Sequence, residues 1–364
     1  MTKENGLEKA RLEINKIDEK MADLFVKRMK AVETILEYKK ERGLSILDKN
    51  REGEVIRKNS ERVEDLTLRS YYVNFLEEMM SVSKRYQESL LSGMKVAYSG
   101  TEGAFAHIAA EKLFPSARKV AYPDFTSAYR SVESGECELC VLPIENSSNG
   151  EVGQVTDLMF SGTLYVNGVL ELPITHDLLG VKGADISDVR EVVSHAQALG
   201  QCRAYIREHG FSEVEYVNTA LAAKEVAERG DKTVAAIASA EAADIFGLEV
   251  LDHDINETKT NTTRFAVFSR IPNKRVKGET GVHSILMFTV RNEAGALAKA
   301  IDVIGKYGFN MRTLRSRPMK ELLWEYYFYI EAEGNVQTEE GLTMMEALGE
   351  FCAKLKFAGT YIKM

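Results

Sequence analysis

The chain of 364 residues has no apolar run approaching the ~18 residues that a membrane-spanning helix needs. Its first stretch, MTKENGLEKARLEINKIDEK, is charged throughout and has no apolar centre of the kind a secretory signal requires. We therefore expect a cytoplasmic protein with no membrane partner. Cysteine is scarce, with four in all. The lone C-x-x-C, Cys137 and Cys140 in ECELCVLPIEN, falls in an expected strand, whereas a redox motif would open a helix. No second pair completes a zinc site, so we read the two as structural and expect no metal. An excess of positive charge is also missing. The net charge is −8, which argues against nucleic acid and anionic membranes as partners. Any anionic ligand must be held by local cations. Proline is absent from the first 92 residues, so nothing there interrupts helices.

What is present is an ordinary globular mixture, 45% hydrophobic and 28% charged. The length suggests roughly two to three domains at ~100–200 residues each. In residues 1–92 apolar side chains recur at Ala10, Ile14, Ile17, Met21, Leu24, Ala31 and Ile35, a helix with one buried stripe. Gly43 and Asp48 mark a break. A second helix runs through Val55 and Ile56, and a third carries Leu68, Tyr72, Phe75, Leu76, Met79, Met80, Tyr86 and Leu90. So few helices cannot bury that surface alone, and we expect a helical dimer.

From residue 93 to 271 strands alternate with helices. KVAYSG, RKVAYP, CVLPIEN, VREVVSH, VEYVNT and TVAAIAS read as strands, an α/β pattern with a parallel sheet. Polar tips follow several of them, where ligands bind in such sheets. RIPNKRVKGETG, 270–281, is a polar linker. Residues 282–364 read as a βαββαβ module, with GLTMMEALGEFCAKLK as its second helix and AGTYIKM as its last strand.

Polar residues occupy helix positions where apolar ones are expected. Continuing the first stripe places Arg28 inward, and Lys39, three full turns on, points the same way. Arg51 and Glu52 lie one turn before Val55 and Ile56, and Ser83 and Gln87 share a stripe on the third helix. Glu52 could pair with Arg28 or Lys39, but several buried cations against one carboxylate still call for an anionic ligand. Arg11 flanks the first stripe and could serve another pocket. This set, with LDKNRE and Ser83-x-x-x-Gln87, resembles the all-helical chorismate mutases over the whole segment. The resemblance implies that Arg28, Arg51 and a partner chain's Arg11 grip the two carboxylates of chorismate. It implies that Lys39 and Gln87 bond its ether oxygen, that Asp48 and Glu52 meet its hydroxyl, and that Ser83 assists. Lys39, Glu52 and Gln87 would be catalytic. Asp48 reads equally as a helix cap.

NTTRFAVFSR, 261–270, puts two threonines and an arginine before an apolar strand. These are either β-branched strand residues or the edge of a site. SGTEGAFAHIAA, LPIENSSNG, SHAQALGQC and NTTRFAVF together resemble, in order, the motifs of prephenate dehydratases, which are two-lobed α/β proteins with a periplasmic-binding-protein-like fold. The resemblance implies that Thr263 is catalytic as a hydroxyl donor to the departing hydroxide. Glu145, Asn146, Ser147, Ser194, His195, Gln197 and Arg264 would bind prephenate. Ser147 and Ser148 read equally as caps. Thr101, Ala106 and Ala196 depart from the family pattern.

The last segment resembles ACT domains, α+β modules of ferredoxin-like fold. GALAKAI and LRSRP would place phenylalanine against Gly295, Ala296, Leu297, Ser316, Arg317 and Pro318. Arg315 stands where the family has glutamate. The reading is a multidomain protein: helical 1–92, dehydratase 93–271, regulatory 282–364. It would convert chorismate to prephenate and then to phenylpyruvate without a cofactor, as a homodimer or homotetramer joined by its helical and ACT segments. The alternatives are a non-enzymatic small-acid sensor, or an enzyme with only one of the two activities.

Overall fold

A computed structural model describes residues 3–43, 49–274, 281–319 and 325–363. The chain divides into two compact units, Met1–Met94 and Lys95–Met364. No helix among the described residues is long and apolar enough to cross a membrane.

The first unit consists of helices Lys3–Glu41, Lys49–Ser60 and Leu66–Ser92. The third begins where the Asp65 carboxylate accepts from Leu68 N at 2.9 Å, an N-cap. The buried stripe differs from the expected one. Met29, Val32 and Leu36 are buried, as are Leu76 and Met80 of the third helix, while Ile14, Ile17 and Leu24 are 56%, 50% and 62% exposed. The reason is length. At 1.5 Å per residue the first helix is nearly 60 Å long and the third about 40 Å, so the longer helix extends past what the other described helices of its unit can cover.

The second unit holds three sheets. In the first, strands run in the order Arg118–Tyr122, Lys95–Ser99, Leu139–Asn146, Thr262–Ser269, Tyr165–Pro173. In the second the order is Glu249–Asp252, Asp177–Gly180, Val234–Ala238, Glu191–Ser194, Ser212–Glu215. Both are mixed, against the parallel sheet expected. Thr262–Ser269 runs antiparallel to both neighbours, because the chain crosses to the second lobe after Pro173 and returns only after Asp252. Cys137 precedes its strand and Cys140 lies in it; both are buried and free.

The third sheet, Met311–Pro318, Tyr326–Glu333, Val282–Val290, Cys352–Ile362, carries helices Ala296–Lys306 and Glu339–Gly349. The second helix ends seven residues before the expected position, since residues 352–362 alternate against Val282–Val290 as one long strand. This sheet is not a tethered appendage. Ile285, Met287 and Tyr361 share one apolar core with Leu142, Val166 and Phe268 of the first lobe. Gly359 permits the approach, since a Cβ there would meet the Val166 backbone oxygen at 2.2 Å. Residues 275–280 of the expected linker lie outside the described residues.

Candidate functional site

A cavity of about 460 Å³ opens between the two lobes of the second unit. Thr263, Asn146, His195 and Gln197 line it, as the motifs predict, together with Gln201 and His176, which they did not single out. Thr263 and Asn146 face each other across paired strands.

The backbone orients the hydrogen bonds here. Ser148 N and Asn149 N both donate to Asn146 Oδ1 at 3.0 Å, so the Asn146 nitrogen must face the other way. It donates to Thr263 Oγ1 at 2.9 Å and to Asn261 Oδ1 at 2.8 Å. Asn261 Nδ2 then donates to Gln201 Oε1 at 3.2 Å. Both donors of Asn146 are spent inward, and the Thr263 hydroxyl proton and the Gln201 amide protons remain for the cleft. Burial lowers the pKa of His176 and keeps its ring neutral, against the opposing pull of its Gln201 hydrogen bond and the Asp177 charge.

Four expected ligands lie elsewhere. Arg264 follows Thr263 on the strand, so it emerges on the opposite face. It donates to Glu145 at 3.0 Å, to Glu331 at 2.9 and 3.0 Å, and to the Tyr361 hydroxyl at 2.6 Å. Burial pulls the Arg264 pKa down, but hydrogen bonding to Glu331 and the charges around it override that and raise it. Glu145 sits beside Asn146 and faces the same way as Arg264, where it also pairs with Arg315. Ser194 is fully buried and donates to Ile237 O at 2.5 Å, a link between strands. Ser147 is exposed, donates to Thr260 O at 3.1 Å and accepts from Thr262 N at 2.9 Å, closing a loop. His195 caps the helix that carries Gln197.

In the first unit Arg28, Ser83 and Gln87 come together. Arg28 donates to Ser83 Oγ, and Ser83 donates to Met79 O at 2.8 Å. Gln87 is buried, and its Oε1 has no hydrogen-bond partner. Burial lowers the Arg28 pKa. Lys39 is half-buried. Glu52 pairs with Lys84 at 3.2 Å, where the sequence also leaves Arg28 or Lys39 open as its partner. Arg51, expected inward, is exposed and pairs with Glu54 at 3.1 Å. Its helix is only 12 residues long and covers few positions. Arg11 is exposed on the uncovered half of the first helix, and Asp48 lies outside the described residues.

In the C-terminal module a cavity of about 310 Å³ is lined by Leu297 and Ser316, with Arg291, Asn292, Glu293 and Tyr326. Gly295 precedes helix Ala296–Lys306 with φ +82°, a conformation other residues rarely take. Arg317 turns away from this cavity, to Asp157 at 3.1 Å and to Glu151. Pro318 lines a separate hollow beside Tyr327. Arg315 takes the same side as Arg317, pairing with Glu145 and, at 3.8 Å, Glu151. Its reversed charge is therefore met by carboxylates of the first lobe.

The family model for prephenate dehydratase matches residues 96–273, and that for chorismate mutase type II matches 10–88. The bifunctional chorismate mutase/prephenate dehydratase of Aquifex aeolicus is 31% identical over 364 residues, covering 98% of both chains. A prephenate dehydratase from Arthrobacter aurescens, solved in complex with L-Phe, superposes with TM-score 0.68 at 26% identity over 74% of this chain and 90% of that one. A structure described as GqqA, a novel type of quorum quenching acylase, also gives TM-score 0.68, at 31% identity over 74% of this chain and 98% of that one. The two family models match the helical segment and the two-lobed segment in turn, and the chain belongs to the bifunctional chorismate mutase/prephenate dehydratase family.

Proposed function

We propose that Thr263 and Gln201 are the donors of the dehydratase step, and that Arg28, Lys39, Ser83 and Gln87 form the core of the mutase site. The chain's two reactions are consecutive in phenylalanine biosynthesis: chorismate becomes prephenate, and prephenate loses carbon dioxide and its ring hydroxyl to give phenylpyruvate.

The observation that carries the dehydratase reading is the bond from Asn146 to Thr263 Oγ1. The threonine oxygen accepts, so its proton is free to follow the departing hydroxyl. The electron pair that leaves the carboxylate enters the ring and expels that hydroxyl. No lysine or arginine lines the cleft among its described residues. That suits the chemistry. A cation gripping the carboxylate that becomes CO₂ would stabilise the substrate more than the transition state. The dianion is instead met by amides and by backbone N–H groups at helix starts. The helix Phe105–Leu113 begins at Ala104 with no side-chain cap, which leaves its first N–H groups for the ligand. Acyl transfer, the reaction suggested by the acylase neighbour, would require a base on the nucleophile, and among the described residues no carboxylate or imidazole accepts from the Thr263 hydroxyl.

The mutase reaction is intramolecular and needs a compact substrate with charge stabilised on its ether oxygen. The partly desolvated Arg28 suits an anionic guest, while the partnerless Gln87 Oε1 is an acceptor and suits a hydrogen-bond donor on that guest. Completing that site with Arg11 calls for a second copy of the chain against the exposed Ile14, Ile17 and Leu24, hence a homodimer or larger homo-oligomer. Phenylalanine is the expected effector, bound at the cavity of Leu297 and Ser316. Ser316 lies between Arg315 and Arg317, whose partners Glu145 and Glu151 flank the hairpin that holds Asn146.

The test feeds chorismate to the wild type and to Thr263→Ala. The reading requires phenylpyruvate from the wild type and accumulating prephenate from the variant. Equal phenylpyruvate formation by both would remove Thr263 from the mechanism.

A further inference from the structure

His176 sits where the chain crosses between the lobes, and only 2% of it is exposed. Its backbone is held on both sides: its N–H donates to Asn256 Oδ1 at 3.0 Å, and its carbonyl accepts from Ile255 N at 2.8 Å. The ring meets Phe105 edge-on, with centroids 5.8 Å apart. Its Nε2 lies 2.8 Å from Gln201 Oε1. That oxygen already accepts from Asn261, whose own orientation follows from Asn146 and ultimately from the backbone N–H groups of Ser148 and Asn149. Nε2 must therefore carry the hydrogen. His176 Nδ1 is then a buried acceptor, and it has no hydrogen-bond partner.

We infer that His176 is a positioning residue of the dehydratase reaction: its Nε2–H locks the Gln201 amide with oxygen inward and nitrogen towards the substrate. This rests on the reading of the cleft given above and extends it to a residue outside the motifs. Gln201 Oε1 is held by two donors. Turning the amide over would set its NH₂ against both of them and present an oxygen to a dianionic substrate. With one donor gone, the inward orientation keeps a single bond at 3.2 Å, and the amide no longer arrives as a fixed donor. Phenylalanine at position 176 would fill the ring's space without its N–H. Glutamine can place an amide N–H close to where Nε2 stands.

The experiment uses the full chain and measures kcat and KM for prephenate. His176→Phe should lower kcat by about tenfold or more, the worth of one buried hydrogen bond, with a smaller change in KM. His176→Gln should recover much of that loss. Chorismate consumption by the same samples should be unchanged, since the mutase segment is a separate unit. Adding His176→Phe to Gln201→Ala should cost nothing further, because the histidine acts through the amide. Wild-type kcat in His176→Phe, additive losses in the double variant, or a loss that glutamine leaves untouched while the unfolding midpoint drops would each overturn the inference. Thr263→Ala run alongside separates the two failures. If it retains phenylpyruvate formation, the reading of the cleft fails; if it is inactive while His176→Phe matches the wild type, only the role of His176 fails.

Discussion

The helical unit and the two-lobed cleft each take a dianion, and they are built from opposite materials. In the helical unit Arg28 donates to Ser83 beside the buried Gln87, and Lys39 is half-buried on the same helix as Arg28. The cleft presents hydroxyl and amide donors, and its described lining holds neither lysine nor arginine. The first reaction moves charge onto an ether oxygen and keeps both carboxylates, so cations help throughout. The second discards a carboxylate as CO₂, so a cation there would hold the substrate back. The units also differ in completeness. The cleft is walled within one chain, whereas half of the first helix lies bare.

The strongest way to break this comparison is at Thr263. Thr263→Ala should lower dehydratase turnover by roughly 10²–10⁴-fold, the range for a positioned proton donor, and leave chorismate consumption intact. A coupled assay of both products reads this directly. The mirror experiment is Arg28→Ala, which should cost the mutase about 10²–10³-fold while prephenate supplied from outside is still converted. If either substitution affects both reactions equally, the units are not independent sites.

The ionic cluster behind the cleft sharpens the contrast, because there charge serves structure. Arg264→Ala strands Glu331, which is 3% exposed, and should destabilise the second unit by about 3–5 kcal/mol in urea unfolding. The cluster also sets a pH dependence. Burial pushes the Glu331 carboxyl up, but the hydrogen bond and charge of Arg264 prevail and hold it below its ordinary 4.5. A depressed carboxylate contributes stability that is full above that value and is lost as pH falls through the lower folded one. Melting temperatures below pH 4.5 should therefore fall more steeply for the wild type than for Glu331→Gln. The smallest effect is expected from Lys84→Ala, which removes the partner of a half-exposed Glu52 and should shift stability by about 0.2–1 kcal/mol.

Much of the cleft was legible in the motifs, and part of what was missed was legible too. Adjacent residues of a strand face opposite ways. Thr263 and Asn146 facing the cleft therefore implied that Arg264 and Glu145 did not, a consequence hidden when each motif is taken as a block. Gln201 lies one helical turn beyond Gln197, on the same face. His176 left no such trace, since it lies near a crossing between lobes and acquires meaning only when the two crossings meet; Asn261 opens the NTTRFAVF motif but is passed over there for the threonines. Arg51 misled for another reason. A position one turn from two apolar residues predicts burial only where something packs over it.

The sequence alone determined the order of helical, alternating α/β and βαββαβ segments, because periodicity and glycine or proline breaks are local properties of the chain. It also determined the chemical inventory, cations first and neutral donors later. Tertiary structure decided the rest. It set which way each amide points, since that depends on backbone N–H groups of Ser148 and Asn149 contacting a side chain that itself contacts Asn261, more than a hundred residues away along the chain. It also brought Arg315 to Glu145, 170 residues away along the chain, because a charge's partner is set by which surfaces the apolar core brings together.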